Sequence, residues 1–193
     1  MIDQRDWMAA LEKHRGDAVV IPAYQAVKGW AEVSQLPRRD FSIDCPSMGK
    51  FSSIALGFAL ARSDTKVILM DGDGSLLMNL GTLVTIAAQA PKNFYHFVVQ
   101  NGVYATTGGQ ALPAIDRVSF AGMAKAAGYA AAYSFDDLEQ FAGEVGRILS
   151  EPGPTLVCMA TTPEPAWATQ TTVTRDRPLP QVVRELQEEL SPA

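Results

Sequence analysis

A carboxylate framed by glycines, Gly72-Asp73-Gly74-Ser75, and an amide followed by a glycine, Gln100-Asn101-Gly102-Val103, are set 28 residues apart, counted from Asp73 to Asn101. Glycines let the backbone approach a ligand closely, and the free N–H groups that open a helix attract an anion such as a diphosphate. A bare carboxylate repels that anion in a site partly shielded from water, so the pair calls for a cation in between. Mg²⁺ takes about six oxygen ligands in near-octahedral geometry, typically a carboxylate, neutral oxygens, water and phosphate oxygens. The Asp73 carboxylate, the Asn101 side-chain oxygen and the Val103 backbone oxygen could supply that set, and these three are the expected metal ligands. Each motif alone also reads as a plain turn, strand-to-helix for Asp-Gly-Asp-Gly and post-strand for Asn-Gly. Their joint spacing is what points to chemistry. A dinucleotide fingerprint is not met, because Gly72-Asp73-Gly74-Ser75-Leu76-Leu77 lacks the third small residue and sets an acid against the pyrophosphate.

Two such loops meet only if a scaffold brings two strand ends side by side, and a strand, crossover helix and strand of this length does so. The chain alternates short β-rich runs with longer helical ones, the rhythm of an α/β fold: a three-layer, doubly wound, mostly parallel sheet with helices on both faces. Strands are expected at residues 18–21, 41–44, 66–70, 94–100, near 129–133 and at 154–161. Helices are expected around 6–14, 47–62, 76–89, 119–127 and 135–149, while 24–36 is ambiguous, with a helix as one reading. Asn101 to Pro113 reads as a loop rich in small residues. Residues 1–162 form one expected domain, and 163–193 a tail broken by Pro163, Pro165, Pro178 and Pro180, with a helix at 181–190 that could pack on a partner.

Composition narrows the function. Hydrophobic residues make up 47% and charged residues 19%, which is globular rather than disordered. The net charge of −5, with no basic cluster beyond Arg38-Arg39, argues against a nucleic-acid partner. The start Met1-Ile2-Asp3-Gln4-Arg5-Asp6 lacks a signal-peptide pattern and no window has the length of a membrane span, so a cytoplasmic address is expected. Cys158 sits in an apolar run and reads as a small buried hydrophobe. Cys45 lies beside a second motif, so a thiol role there stays open. His96 alternates with apolar neighbours as a core histidine would, and His14 falls at a helix end.

The sequence resembles the diphosphate-binding domain of thiamine diphosphate enzymes, whose signature is a GDG followed one strand-helix-strand unit later by paired Asn residues. Here the pair reads Gln100-Asn101; the family's metal ligand is the second amide, matched by Asn101. Residues Pro46 to Gly57 resemble the segment beneath the two rings of thiamine diphosphate. The resemblance implies that Met48 is the apolar wedge that bends the cofactor, bringing the aminopyrimidine toward thiazolium C2. It also implies that the Pro46 carbonyl accepts from the aminopyrimidine amino group, that Ser47 sits beside it, and that Tyr104 follows the metal loop in the cofactor-binding set. A core methionine at a helix start is the plainer reading of Met48. Many relatives have Gly where Pro46 stands and His where Lys50 stands. Within the superfamily, Ser47-Met48-Gly49, Leu77-Met78-Asn79-Leu80-Gly81 and Asn101 to Gln110 are similar to the β subunit of sulfopyruvate decarboxylase and the matching half of phosphonopyruvate decarboxylase. Thr106, Thr107 and Gln110 could offer donors to an anionic substrate or be solvated loop residues.

In that family the glutamate facing the aminopyrimidine belongs to a separate pyrimidine-binding domain, and no segment here is long enough to be one. The resemblance therefore implies a β-type subunit of a two-subunit, thiamine diphosphate- and Mg²⁺-dependent 2-oxo acid decarboxylase. Its partner would be a pyrimidine-binding α-type subunit, with active sites at the subunit interface. The alternatives are a subunit of an acetolactate synthase-like carboligase, and a non-catalytic cofactor-binding or interaction subunit.

Overall fold

Runs of Val, Ile, Leu and Phe bounded by turn residues supply the strands, because β-branched and aromatic side chains fit a pleated surface buried on both faces. A computed structural model describes residues 1–42, 48–163 and 178–191. Five strands, β1 (Val19–Pro22), β2 (Val67–Gly72), β3 (Phe94–Gln100), β6 (Ala131–Phe135) and β7 (Thr155–Ala160), form one parallel sheet in the order β1-β2-β3-β7-β6. Two further strands, β4 (Val103–Tyr104) and β5 (Gln110–Ala111), make a small antiparallel hairpin.

Helices cover both faces, so the architecture is the three-layer α/β fold expected. Side chains of alternating parity separate cleanly. Val67, Leu69, Phe94, Val98, Leu156 and Cys158 face a core closed by α3 (Phe51–Ala61), α4 (Asp73–Leu77), α5 (Gly81–Gln89) and α6 (Phe120–Ala127). Ile68, Met70, Tyr95, Phe97, Val157 and Met159 face the other, closed by α1 (Gln4–Glu12), α2 (Gln25–Val33) and α7 (Leu138–Ser150). Within the second core Trp7 stacks on Phe97 at 5.9 Å, and Phe141 meets both rings edge-on. Among the described residues no helix is long and apolar enough to cross a membrane.

Five expectations are corrected. Of the strand expected at 41–44, the described residues 41 and 42 are in no strand: the bridge to Val20 is made by the preceding Asp40, Phe41 donates one N–H to the Val20 carbonyl, and residues 43 and 44 lie outside the described range. The helix expected from Ser47 begins at Phe51, after a turn at 48–50 whose Gly49 has φ +78°. The helix expected at 76–89 is two helices, α4 and α5, split by a turn at 78–80. The loop expected after β3 contains the β4–β5 hairpin, turned by Gly108 and Gly109 at positive φ. Lastly, the helix of the tail, α8 (Leu179–Glu189), packs on this chain's own core through Val182 and Leu186, where a partner had been considered. Arg38 pairs with Glu188 and Glu189 at 2.9 and 2.8 Å, and Arg62 donates to the Leu190 carbonyl at 2.6 Å.

Candidate active site

Parallel pairing of β2 with β3 sets Gly72 opposite Val99, so the next residues of both strands emerge at the same edge of the sheet. Asp73 directly follows Gly72 at the end of β2, and Asn101 directly follows Gln100 at the end of β3. The Asp73 carboxylate bridges the two loops: Oδ1 accepts from Gly74 N–H at 2.8 Å and Oδ2 from Gly102 N–H at 2.7 Å. The Asn101 side-chain oxygen accepts from Val103 N–H at 3.1 Å, which turns the chain into β4.

Asp73 is only 1% exposed. Burial pushes its carboxyl up to about 6, and the surrounding backbone N–H donors pull the other way without cancelling that effect. No cationic side chain offsets it among the described residues. A buried carboxylate held only by neutral donors is costly unless it is protonated or meets a cation. Among the described residues no three His, Cys, Asp or Glu side chains are grouped to share a metal. One carboxylate with neutral oxygens is thus the donor set on offer, and it suits Mg²⁺ rather than a thiolate- or imidazole-seeking ion. These residues fit the metal-held diphosphate.

A cleft open to solvent runs from this loop pair to the end of β1. Gly72, Asp73, Gly74, Ser75, Asn101, Val103 and Tyr104 all line it, as does Met48, half-buried on the turn before α3. Tyr104 packs so tightly on Gly74 that a Cβ there would stand 2.7 Å from the ring. Thr106 reaches the cleft, whereas Thr107 and Gln110 are exposed and do not line it. Pro46 and Ser47, together with Cys45, lie outside the described residues. Ser75 differs from expectation in one respect: its hydroxyl accepts from Gly49 N–H at 3.1 Å, so that oxygen faces the Met48 turn.

Sequence reasoning missed Tyr24, Gln25 and Val99, which also line the cleft. Tyr24 opens α2 with φ +50°, a conformation unfavourable for a side chain that size, and its ring meets Phe51 edge-on at 5.2 Å. The available signal was positional, since Tyr24 and Gln25 directly follow β1 at the sheet edge where open α/β folds bind ligands. The remaining candidates are core residues. Cys158 is 1% exposed, and burial pushes its thiol up to about 12. His96 is fully buried, 3.8 Å from Asp71 and 3.5 Å from the Tyr129 hydroxyl.

Residues 29–159 match the model of the thiamine pyrophosphate enzyme, C-terminal TPP binding domain. The chain is 39% identical over 117 residues to phosphonopyruvate decarboxylase of Streptomyces viridochromogenes, covering 61% of this chain and 29% of that protein. It is 47% identical over 92 residues to sulfopyruvate decarboxylase subunit beta of Methanothermobacter thermautotrophicus, covering 48% of this chain and 49% of the relative. The chain thus spans half or less of the length of these two relatives. In fold it is similar to a thiamine diphosphate-dependent 4-hydroxybenzoylformate decarboxylase of Rhodococcus jostii, with a TM-score of 0.72 at 19% identity over 84% of this chain and 33% of that one.

Proposed function

Because this chain belongs to the thiamine pyrophosphate enzyme family, through its C-terminal TPP binding domain, we propose that it is the cofactor-binding, β-type subunit of a two-subunit 2-oxo acid decarboxylase. The observation that carries the reading is the buried Asp73 carboxylate, tied to both loops and matched by no cationic side chain among the described residues. Such a group is in place for Mg²⁺, with the Asn101 side-chain oxygen and the Val103 carbonyl as its neutral co-ligands. The relatives named phosphonopyruvate and sulfopyruvate decarboxylase support a pyruvate bearing an anion at its third carbon as substrate.

The chain's own residues divide the work. Gly72 and Gly74 keep the backbone beside the metal free of side chains, and Tyr104 covers Gly74. Met48 presents an apolar side chain to the cleft as the wedge under the cofactor rings, with Tyr24 and Val99 adding apolar wall that excludes water. When bound, thiamine diphosphate supplies the electron sink that a departing CO₂ requires. Asp73 is the only acid among the described residues lining the cleft, and it is committed to the metal. The reading assigns the glutamate that serves the aminopyrimidine to a partner, an α-type pyrimidine-binding subunit, and a relative named as a beta subunit supports this division.

Mixing the purified chain with a pyrimidine-binding partner chain, thiamine diphosphate and Mg²⁺ tests the reading. CO₂ release from 3-phosphono- or 3-sulfopyruvate that needs both chains is the expected result. Absence of turnover with every 2-oxo acid tried, in a complex that has bound cofactor, would refute it.

A further inference from the structure

Both backbone groups of Gly49 are held by one short stretch of chain. Its N–H donates to Ser75 Oγ at 3.1 Å, and its carbonyl accepts from Asn79 Nδ2 at 2.9 Å. Gly49 is buried, Ser75 is 2% exposed, and a Cβ on Gly49 would lie 3.2 Å from Met78 Cβ and 3.4 Å from Asn79 Cβ. The turn carrying Met48 is therefore packed closely against the end of α4, where a side chain on Gly49 would force its neighbours to give. A second tie runs alongside. Ser52 Oγ donates to Thr82 Oγ1 at 3.0 Å, and that hydroxyl donates to the Asn79 carbonyl at 2.9 Å. Ser52 and Thr82 are both buried, so water competes little for this link.

The split between α4 and α5 is what makes the clamp. In an unbroken helix the Asn79 side chain would follow the helical surface. Here the Asn79 carbonyl takes both the N–H and the hydroxyl of Thr82, at 3.1 and 2.9 Å, and the Asn79 side chain turns to Gly49. Asp73 begins the helix that Asn79 follows, so the metal loop and the Met48 turn are fastened to the same few residues.

We propose that Ser75 and Asn79 are positioning residues that clamp the Met48 turn to the helix opened by Asp73, holding the apolar wedge in register with the metal loop. The proposal rests on the cofactor reading above, and it goes further by assigning to two side chains the alignment of the ring-binding half of the site with its diphosphate-binding half. A loosened clamp weakens grip on the rings and leaves the diphosphate end intact.

Calorimetric titration of the full chain with two probes separates these effects. One is thiamine diphosphate with Mg²⁺; the other is inorganic pyrophosphate with Mg²⁺, which has the diphosphate but no rings. Asn79→Ala removes the donor, and Asn79→Leu removes it at similar volume should the smaller residue disturb folding. For both variants, affinity for thiamine diphosphate is expected to fall about three- to tenfold, the effect of losing one hydrogen bond, with affinity for pyrophosphate unchanged. In the ligand-free chain, amide exchange of Gly49 should rise by a similar factor while exchange within α5 stays as it was. Equal losses for both probes, or unchanged binding and exchange beside a wild-type chain that binds normally, would overturn the clamp alone. A wild-type chain that binds neither probe would overturn the cofactor reading and the clamp's purpose together.

Discussion

The carboxylate of Asp73 accepts the backbone N–H of Gly102 across 2.7 Å, tying the first residue after β2 to the second residue after β3. Its other oxygen takes the N–H of Gly74. An ionised carboxylate has about four lone-pair sites, so two backbone donors leave acceptor capacity for a metal while fixing where the group points. The site is pre-set before any ligand arrives, and the cost is a buried negative charge.

Asp73→Asn keeps the shape and removes the charge. Affinity for thiamine diphosphate with Mg²⁺ should drop by more than about 100-fold, beyond the effect of losing an outer-shell contact to a metal ligand. Calorimetry on the full chain measures it, and unchanged affinity would end the ligand assignment.

Acidity gives a second handle. Burial raises the Asp73 carboxyl from 3.8 to about 6, so between those values the folded, ligand-free chain binds a proton that the unfolded chain releases. The Asp73 contribution to stability is therefore complete below 3.8 and is lost as the pH rises through about 6. Metal binding needs the ionised form, so Mg²⁺ affinity should fall about tenfold per pH unit below that value. Denaturation curves with and without Mg²⁺ across this range should show the metal stabilising more at pH 7.5 than at pH 5; the opposite order would contradict the assignment.

Gly74→Ala places a methyl 2.7 Å from the Tyr104 ring. The ring or the metal loop must shift, at a cost of roughly 1–3 kcal/mol typical of overpacking. Urea unfolding of Gly74→Ala against the double variant with Tyr104→Ala checks this, because removing the ring should recover much of the loss.

The meeting of the two loops was legible in the sequence because glycine, carboxylate and amide at that spacing have a chemical meaning that survives without coordinates. β3 was legible to the residue, since Phe94 to Gln100 is an unbroken strand-forming run ended by Asn-Gly. The split of α4 from α5 was hidden. Leu76 to Gln89 is mostly apolar, and the turn at 78–80 is tied by long-range bonds, Asn79 to the Gly49 carbonyl and Ser52 to Thr82, that periodicity does not register. The β4–β5 hairpin was hidden for another reason: two residues per strand are too few to show alternation. Tyr24 escaped notice because a residue held at positive φ by its surroundings has no local signature.

The packing of α8 on its own domain is tested by comparing two kinds of substitution. Leu186→Ala should cost about 2–4 kcal/mol, as for other buried leucines. Arg38→Ala, which breaks exposed pairs with Glu188 and Glu189, should cost far less. Urea midpoints that reverse this ranking would show that the helix is held by charge and not by its apolar face.

Anomalous diffraction from crystals grown with thiamine diphosphate and Mn²⁺ in place of Mg²⁺ addresses the central claim most directly. The expected result is one strong peak about 2.0–2.3 Å from Asp73 Oδ, the Asn101 side-chain oxygen and the Val103 carbonyl, with diphosphate oxygens completing the shell. A bound cofactor whose metal sits elsewhere, or an Asp73 carboxylate turned away from it, would contradict the account.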